Sequence, residues 1–347
     1  MKLKAIAAEL GISPSTVSKV MNGYKNFSIS PELREKILAY AKSSGYTPNP
    51  LYQAMRQKDN RQISIHLPNL LHVSNGADIS LGVDRCCEKL LDNGFRFYYL
   101  GYTIEYQKTY GLPPWKVAGA LVVDVRREEL IEELDASGIP YVSLNGVSGP
   151  HGSAIMTDDY YNMTLLLKHL HDLGHRRIGY LNFYRRPEDP PFTLDDHHYS
   201  VRQRLKAYVD FCKEIGFPPL TESLSCDYDT LPTLLSGLEH GCTAFISYSY
   251  SAIIEASFLL RERGFRIPED ISLATFNNPK MANFTEPPLT CIAIPVREMG
   301  EAAAELLLNK YKDSSYALGK TISFQGTLVQ RKSTGPCRHD SKSTTRR

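Results

Sequence analysis

The sequence predicts a two-part molecule: an all-α head of three short helices arranged as a helix-turn-helix, followed by a two-lobed α/β body with parallel sheets. Three observations predict it. The first sixty residues hold three short amphipathic segments, the second and third with capping residues at their starts, and no strand pattern. From residue 62 strand-like and helix-like segments alternate, which implies parallel sheets covered by helices. Charge divides at the same place. Residues 1–61 carry ten Lys/Arg against four Asp/Glu, and residues 331–347 carry six against one. Subtracted from the chain's +2, these leave the body between at −9. A basic head on an acidic body is the electrostatic pattern of a nucleic-acid-binding domain joined to one that stays off nucleic acid.

The elements follow in order. Leu3 to Leu10 forms a helix with Leu3, Ile6, Ala7 and Leu10 on one side, and Gly11-Ile12 makes a turn. Ser13 caps the next helix and Pro14 takes its first position, where the missing N–H costs nothing. Val17, Val20 and Met21 make its apolar stripe, and Asn22-Gly23 stops it. Its other face offers Ser15, Thr16, Ser18 and Lys19, small hydrogen-bonding groups and a cation suited to the edges of bases in a DNA major groove. A third helix starts at Ser30-Pro31, buries Leu33, Ile37, Leu38 and Ala41, and stops at Gly45.

In the body, strands are expected at 63–67, 95–100, 119–123, 139–144, 177–181, 223–226, 244–247, 272–276 and 321–329. Helices are expected at 79–93, 127–137, 159–173, 200–215, 230–240, 251–263 and 296–311. No run approaches the ~20 apolar residues of a membrane span, and Met1-Lys2-Leu3-Lys4 opens a polar helix, so a cytoplasmic protein with no membrane contact is expected. Seven cysteines without metal or disulfide spacing read as reduced thiols. His169, His171 and His175 read as a solvated helix face, and His197-His198 as part of a polar lid. Neither a Gly-x-Ser-x-Gly elbow, a P-loop nor a Gly-x-Gly-x-x-Gly is present, and nothing pairs a nucleophile with a base. No enzyme activity, metal or cofactor is expected.

Ala5-Ile6-Ala7, Gly11-Ile12-Ser13, Thr16 to Asn22, Arg34 to Ile37 and Gly45 to Asn49 together resemble the headpiece of the lactose-repressor/galactose-repressor (LacI/GalR) family. The body resembles that family at Leu170 to Gly179, Ile267 to Ser272, Pro287 to Thr290 and Gly326 to Thr334, and less between 62 and 157. The resemblance implies a periplasmic-binding-protein-like body and five segments. These are a DNA-binding headpiece at 1–47, a hinge helix and linker at 48–61, and a first lobe from 62–157 with 291–319. A second lobe from 158–290 with 320–334 follows, and 335–347 is a disordered tail.

It further implies a homodimeric transcription regulator, a repressor of carbohydrate or related metabolite genes, that binds palindromic operator DNA under control of a small-molecule effector held between the lobes. DNA contacts would come from Ser13, Ser15, Thr16, Ser18 and Lys19, with Asn22 and Tyr46 as phosphate-side supports. Met55 stands at the hinge position of a minor-groove wedge, a role methionine can fill, with basic Arg56 beside it. For the effector, Arg204 takes the place of the family's pocket arginine and Tyr228 falls near an aromatic position. Asn145, Tyr248 and Asn277 stand where acidic or amide residues are usual. Carboxylates that grip sugar hydroxyls are thereby replaced by neutral groups. Either the ligand is not a typical sugar or the cleft has lost effector binding. A soluble solute-binding protein and an enzyme with a DNA-binding cap are the alternatives, against which stand the intact headpiece and the missing catalytic constellation.

Overall fold

The computed structural model describes residues 3–21, 24, 27–46, 60–68, 77–102, 117–124, 129–181, 198–220 and 230–338. The chain divides into two compact units, one built on Met1–Gln62 and the other on Ile63–Leu112 and Ala118–Arg347.

The first unit holds α1 (Leu3–Glu9), α2 (Pro14–Met21) and α3 (Pro31–Ser43). Ser13 caps α2 by accepting from the Thr16 amide at 3.1 Å, and Ser30 caps α3 by accepting from Leu33 at 3.2 Å. Ile6, Ala7, Val17, Val20, Ile37 and Ala41 bury together, two from each helix. Such short helices are marginal alone and depend on this shared core. Leu38, expected inside, is 46% exposed, because the groove between α1 and α2 is filled by Ile37 and Ala41 one face away.

The second unit contains two sheets. The first takes β1 (Gln62–Pro68), β2 (Arg96–Tyr102), β3 (Gly119–Val123), β4 (Tyr141–Leu144), β5 (Gly152–Thr157) and β10 (Thr321–Phe324), in the order β10-β5-β4-β3-β1-β2. The second takes β6 (Ile178–Leu181), β7 (Ala244–Ser247), β8 (Ser272–Phe276), β9 (Thr290–Ala293) and β11 (Thr327–Val329), in the order β11-β9-β8-β7-β6. Pairing is parallel in both for the registers resolved, except β11, which runs antiparallel to β9. Central strands β3, β4, β7 and β8 are buried along their whole length, as is β6 at the end of the second sheet, as expected for sheets covered on both faces.

Helices α4 (Ala77–Asp92), α5 (Glu129–Ser137) and α10 (Val296–Lys312) belong with the first sheet. Helices α6 (Asp159–Asp172), α7 (Tyr199–Ile215), α8 (Thr230–Glu239) and α9 (Tyr250–Glu262) belong with the second.

The chain crosses between the lobes three times: from β5 into α6, from β9 into α10, and from β10 into β11. The crossings touch. Gly326 donates its N–H to Asn162 Oδ1 at 2.8 Å, and Gln325 Nε2 donates to Asp158 Oδ2 at 3.1 Å. A Cβ on Gly326 would stand 2.9 Å from Asn162 Oδ1 and 3.0 Å from the Ala293 carbonyl, so one glycine brings all three connections together.

This topology corrects several expectations. The single strand at 321–329 is two strands in different sheets, broken at Gln325-Gly326 by the third crossing. Residues 321–324 therefore belong to the first lobe and 291–293 to the second, the reverse of the expected division. Strands β5 and β9 were not foreseen. Gly152-Ser153-Ala154 and Thr290-Cys291 are small or weakly apolar, and their strand state comes from neighbours in the ladder. The tail does not begin at 335: His175 and Ser272 bond the Gly335 carbonyl at 3.0 and 3.3 Å, and the Cys337 amide donates to Leu173 at 2.8 Å. His175 is accordingly a buried core histidine, also bonded to Thr243 and Ser272, and not part of a solvated face. The expected strand at 223–226 and most of the hinge lie outside the described residues.

Among the described residues, no helix is long and apolar enough to cross a membrane, and no cluster of His, Cys, Asp and Glu could hold a metal ion. The described cysteines are free thiols, and all but Cys337 are buried.

Candidate functional site

Two surfaces carry chemistry. On the headpiece, the core turns Val17 and Val20 inward, so α2 presents its opposite side to solvent. Ser13, Ser15 and Lys19 are exposed there, and Thr16 and Ser18 are partly so. Ser13 Oγ lies 2.8 Å from both Ser15 Oγ and Thr16 Oγ1, so the three hydroxyls form one donor–acceptor cluster at the helix start. Lys19 Nζ stands 5.4 Å from the centre of the Phe27 ring, and the Arg34 guanidinium carbon 5.9 Å from it. Arg34 Nη2 also donates to the Tyr24 carbonyl at 2.7 Å, tying the loop after α2 to α3.

Two cations over one aromatic face form a positive edge beside the hydroxyl cluster. Phe27 and Arg34 were not among the expected site residues, although an aromatic in the polar loop between two helices was the available signal. Tyr46 is half-buried against the headpiece core, and its amide donates to Ala41 at 2.9 Å. Asn22, Met55 and Arg56 lie outside the described residues.

The second surface lies between the lobes, where strands end. Asp124 after β3, Asn145 after β4 and Asn277 after β8 all take the left-handed backbone conformation, with φ of 53°, 56° and 59°. Asn and Asp adopt it more readily than other side-chain-bearing residues. This turns their side chains out of the ladder at the carboxyl ends of parallel strands, the usual ligand position of such sheets.

Asn145 Nδ2 donates to Asp124 Oδ1 at 2.5 Å, and Asn145 Oδ1 accepts from the Tyr199 hydroxyl at 2.9 Å. Arg204, one face along α7, is buried, and its Nε donates to Asp159 Oδ1 at 2.6 Å. Its guanidinium carbon lies 3.8 Å from the Phe276 ring centre and 4.6 Å from that of Tyr248. Burial is the largest single influence on Arg204 and works against its charge, but the Asp159 carboxylate together with the Tyr248 and Tyr180 hydroxyls outweighs it, holding the guanidinium above its ordinary pKa.

Asn145, Arg204 and Tyr248 are thus parts of one polar network, and Asn277 ends the strand next to the one that leads into Tyr248. Tyr228 lies outside the described residues. Asp124, Thr157, Asp159, His198, Tyr199 and Ser200 belong to the network and were not foreseen. Asp159 follows a strand that the sequence pattern did not reveal, and Tyr199 and Ser200 read as an ordinary helix start.

Residues 2–49 match the model for bacterial regulatory proteins of the lacI family, and residues 167–334 match the periplasmic binding protein-like domain. The chain thus joins a lacI-family helix-turn-helix domain to a periplasmic binding protein-like domain. Among its relatives is the transcriptional regulator MalR of Streptomyces coelicolor, 26% identical over 89% of this chain and 90% of MalR. Another is the transcriptional repressor PurR of Vibrio cholerae, 26% identical over 90% of this chain and 92% of PurR. The lac repressor dimer bound to operator and the anti-inducer ONPF matches with a TM-score of 0.71 at 21% identity, covering 96% of this chain and 99% of that one. The chain is a LacI-type transcriptional regulator, a helix-turn-helix headpiece on a two-lobed, periplasmic-binding-protein-like body. Its relatives are regulators and not enzymes.

Proposed function

We propose that the protein is a homodimeric, sequence-specific repressor whose two headpieces read the half-sites of a palindromic operator. The observation that carries this reading is the exposed face of α2, where Ser15, Thr16 and Lys19 stand on a helix locked by its own core. Short hydroxyls and one long cation at a helix start match base edges in the major groove, and Arg34 adds positive charge beside them. Asn22 and Tyr46 support the phosphate side, and Met55 with Arg56 serves the centre of the operator in the minor groove.

Dimerisation is supported by apolar side chains left in solvent. Leu81 and Leu91 on α4 and Tyr99 on the edge strand β2 are exposed in the first lobe, and Phe258, Met281 and Phe284 in the second. The repressed genes serve carbohydrate or related metabolism, and the cleft takes a small molecule that favours one of two lobe arrangements.

The test is fluorescence anisotropy against palindromic sites from the source genome and against random duplexes. A preference of at least 1000-fold for one palindrome is expected at physiological salt. Equal affinity for all duplexes would overturn the reading. Lys19→Ala should cost roughly 1–3 kcal/mol on the preferred site and much less on random DNA if Lys19 reads a base. An equal loss on both would make it a phosphate contact.

A further inference from the structure

The polar network between the lobes joins them through bonds between protein groups. The first lobe contributes Asp124, Asn145 and Thr157, and the second contributes Asp159, His198, Tyr199, Ser200, Arg204 and Tyr248. Two residues make the bridge. His198 Nε2 lies 2.7 Å from the Asn145 carbonyl oxygen, and the Tyr199 hydroxyl donates to Asn145 Oδ1 at 2.9 Å while accepting from the Thr157 amide at 2.9 Å.

Hydrogen-bond direction can be followed around the ring. A carbonyl only accepts, so His198 carries its proton on Nε2 and accepts at Nδ1. Nδ1 then takes the Ser200 hydroxyl proton at 2.7 Å, which leaves Ser200 Oγ to accept from the Tyr248 hydroxyl at 2.7 Å. The Tyr248 carbonyl accepts from Arg204 Nη1 at 3.3 Å, Arg204 binds Asp159, and Thr157 Oγ1 donates to the other Asp159 oxygen. Thr157 Oγ1 also lies 3.0 Å from the Tyr199 hydroxyl, but both protons are already given to Asp159 and Asn145, so it is the Thr157 amide, donating to that hydroxyl, that closes the circuit.

Every polar atom of the Asn145 side chain is engaged, and so is its carbonyl. The bridging residues are buried: His198 is 8% exposed and Tyr199 5%. A ligand that used Asn145 or Tyr248 would have to exchange bonds made at good geometry in a partly buried site, where satisfied groups are costly to unpair.

We propose that the start of α7 is the cleft's own occupant: His198 and Tyr199 hold the two lobes together without a small molecule. They are the residues that determine what the cleft admits, since only a ligand able to replace their bonds to Asn145 and Thr157 can enter. This inference rests on the regulator reading of the cleft.

Hydrogen–deuterium exchange on the full-length, extensively dialysed protein tests it, with no DNA present. The first-lobe segments 143–147 and 154–158 should be protected in the native protein and exchange at least tenfold faster in the double variant His198→Ala/Tyr199→Phe. Segments in β7 and β8 should keep their rates, which separates loss of the bridge from unfolding. Tyr160→Phe, which removes an exposed bond to Asp210 within the second lobe and outside the network, should leave both first-lobe segments protected. Native first-lobe segments that already exchange at the double variant's rate would overturn the proposal. So would a double variant with native protection. Because the readout contains no DNA, either result stands apart from the outcome of the operator-binding test.

Discussion

At the scale of single residues, two buried groups govern the stability of the body. Arg204 and Asp159 form an ion pair with side-chain exposures of 5% and 0%. Removing one partner leaves the other's charge buried and unpaired, so Arg204→Ala should destabilise the protein by roughly 3–5 kcal/mol. Urea unfolding measures this, and Arg204→Met combined with Asp159→Leu should recover most of the loss. Full loss in the double variant would show that the pair's other contacts, to Phe276 and Tyr248, carry the stability.

His66, on β1, is 2% exposed and bonded to Ser64 Oγ at 3.2 Å. Burial pushes its pKa down to about 4, against a smaller opposing pull from Glu133. The folded protein therefore resists a proton that the unfolded chain accepts near pH 6.5. Stability from this group is complete above pH 6.5 and is lost as pH falls to about 4, by at most about 3 kcal/mol. Unfolding midpoints measured between pH 7 and pH 4 should fall less steeply in His66→Gln. Some slope should persist, since burial also lowers the pKa values of His169 and His175.

At the scale of elements, α4 and α10 make the tightest contact in the first lobe. Gly82 and Gly300 face each other so closely that a Cβ on Gly300 would stand 1.9 Å from the Gly82 carbonyl oxygen. That neighbour is backbone and cannot rotate away. Around it, Arg85 and Lys89 of α4 bond Glu301 at 3.3 Å each, and Lys89 bonds Glu305 at 2.6 Å. These exposed pairs add little and serve mainly to set helix register. Gly300→Ala should force the helices apart and cost about 1–3 kcal/mol or more, read as a lowered thermal midpoint. Gly264→Ala is the control for overpacking, since nothing lies near its Cβ position and any cost there is local backbone strain.

At the scale of the whole molecule, function rests on the division between a basic head and an acidic body. Residues 1–61 carry a net +6, and neutralised phosphates release counterions, so DNA affinity should fall steeply with salt. For six to ten phosphate contacts the loss between 50 and 200 mM salt is on the order of 10³–10⁵-fold. Anisotropy titrations across that range check it. A slope below about two contacts would place the basic residues away from the duplex.

The headpiece was legible because its signals are local. Caps at Ser13 and Ser30, prolines at first helical positions and a 3.6-residue stripe each act within a few residues. The central strands were legible for the same reason, as unbroken apolar runs such as Gly119–Val123. By itself, then, the sequence determined three helices, two of them capped and the second with an exposed polar face, a βα body, and the family resemblance they carry. Only the tertiary structure decided which lobe each late strand joins, because β9, β10 and β11 are short and take their state from ladder partners far away in sequence. It also decided what the cleft residues do. Asn145, Arg204 and Tyr248 are 44 to 103 positions apart. Their bonds to Asp124, Asp159 and Ser200 exist only where three crossings and two sheet ends bring distant chain together.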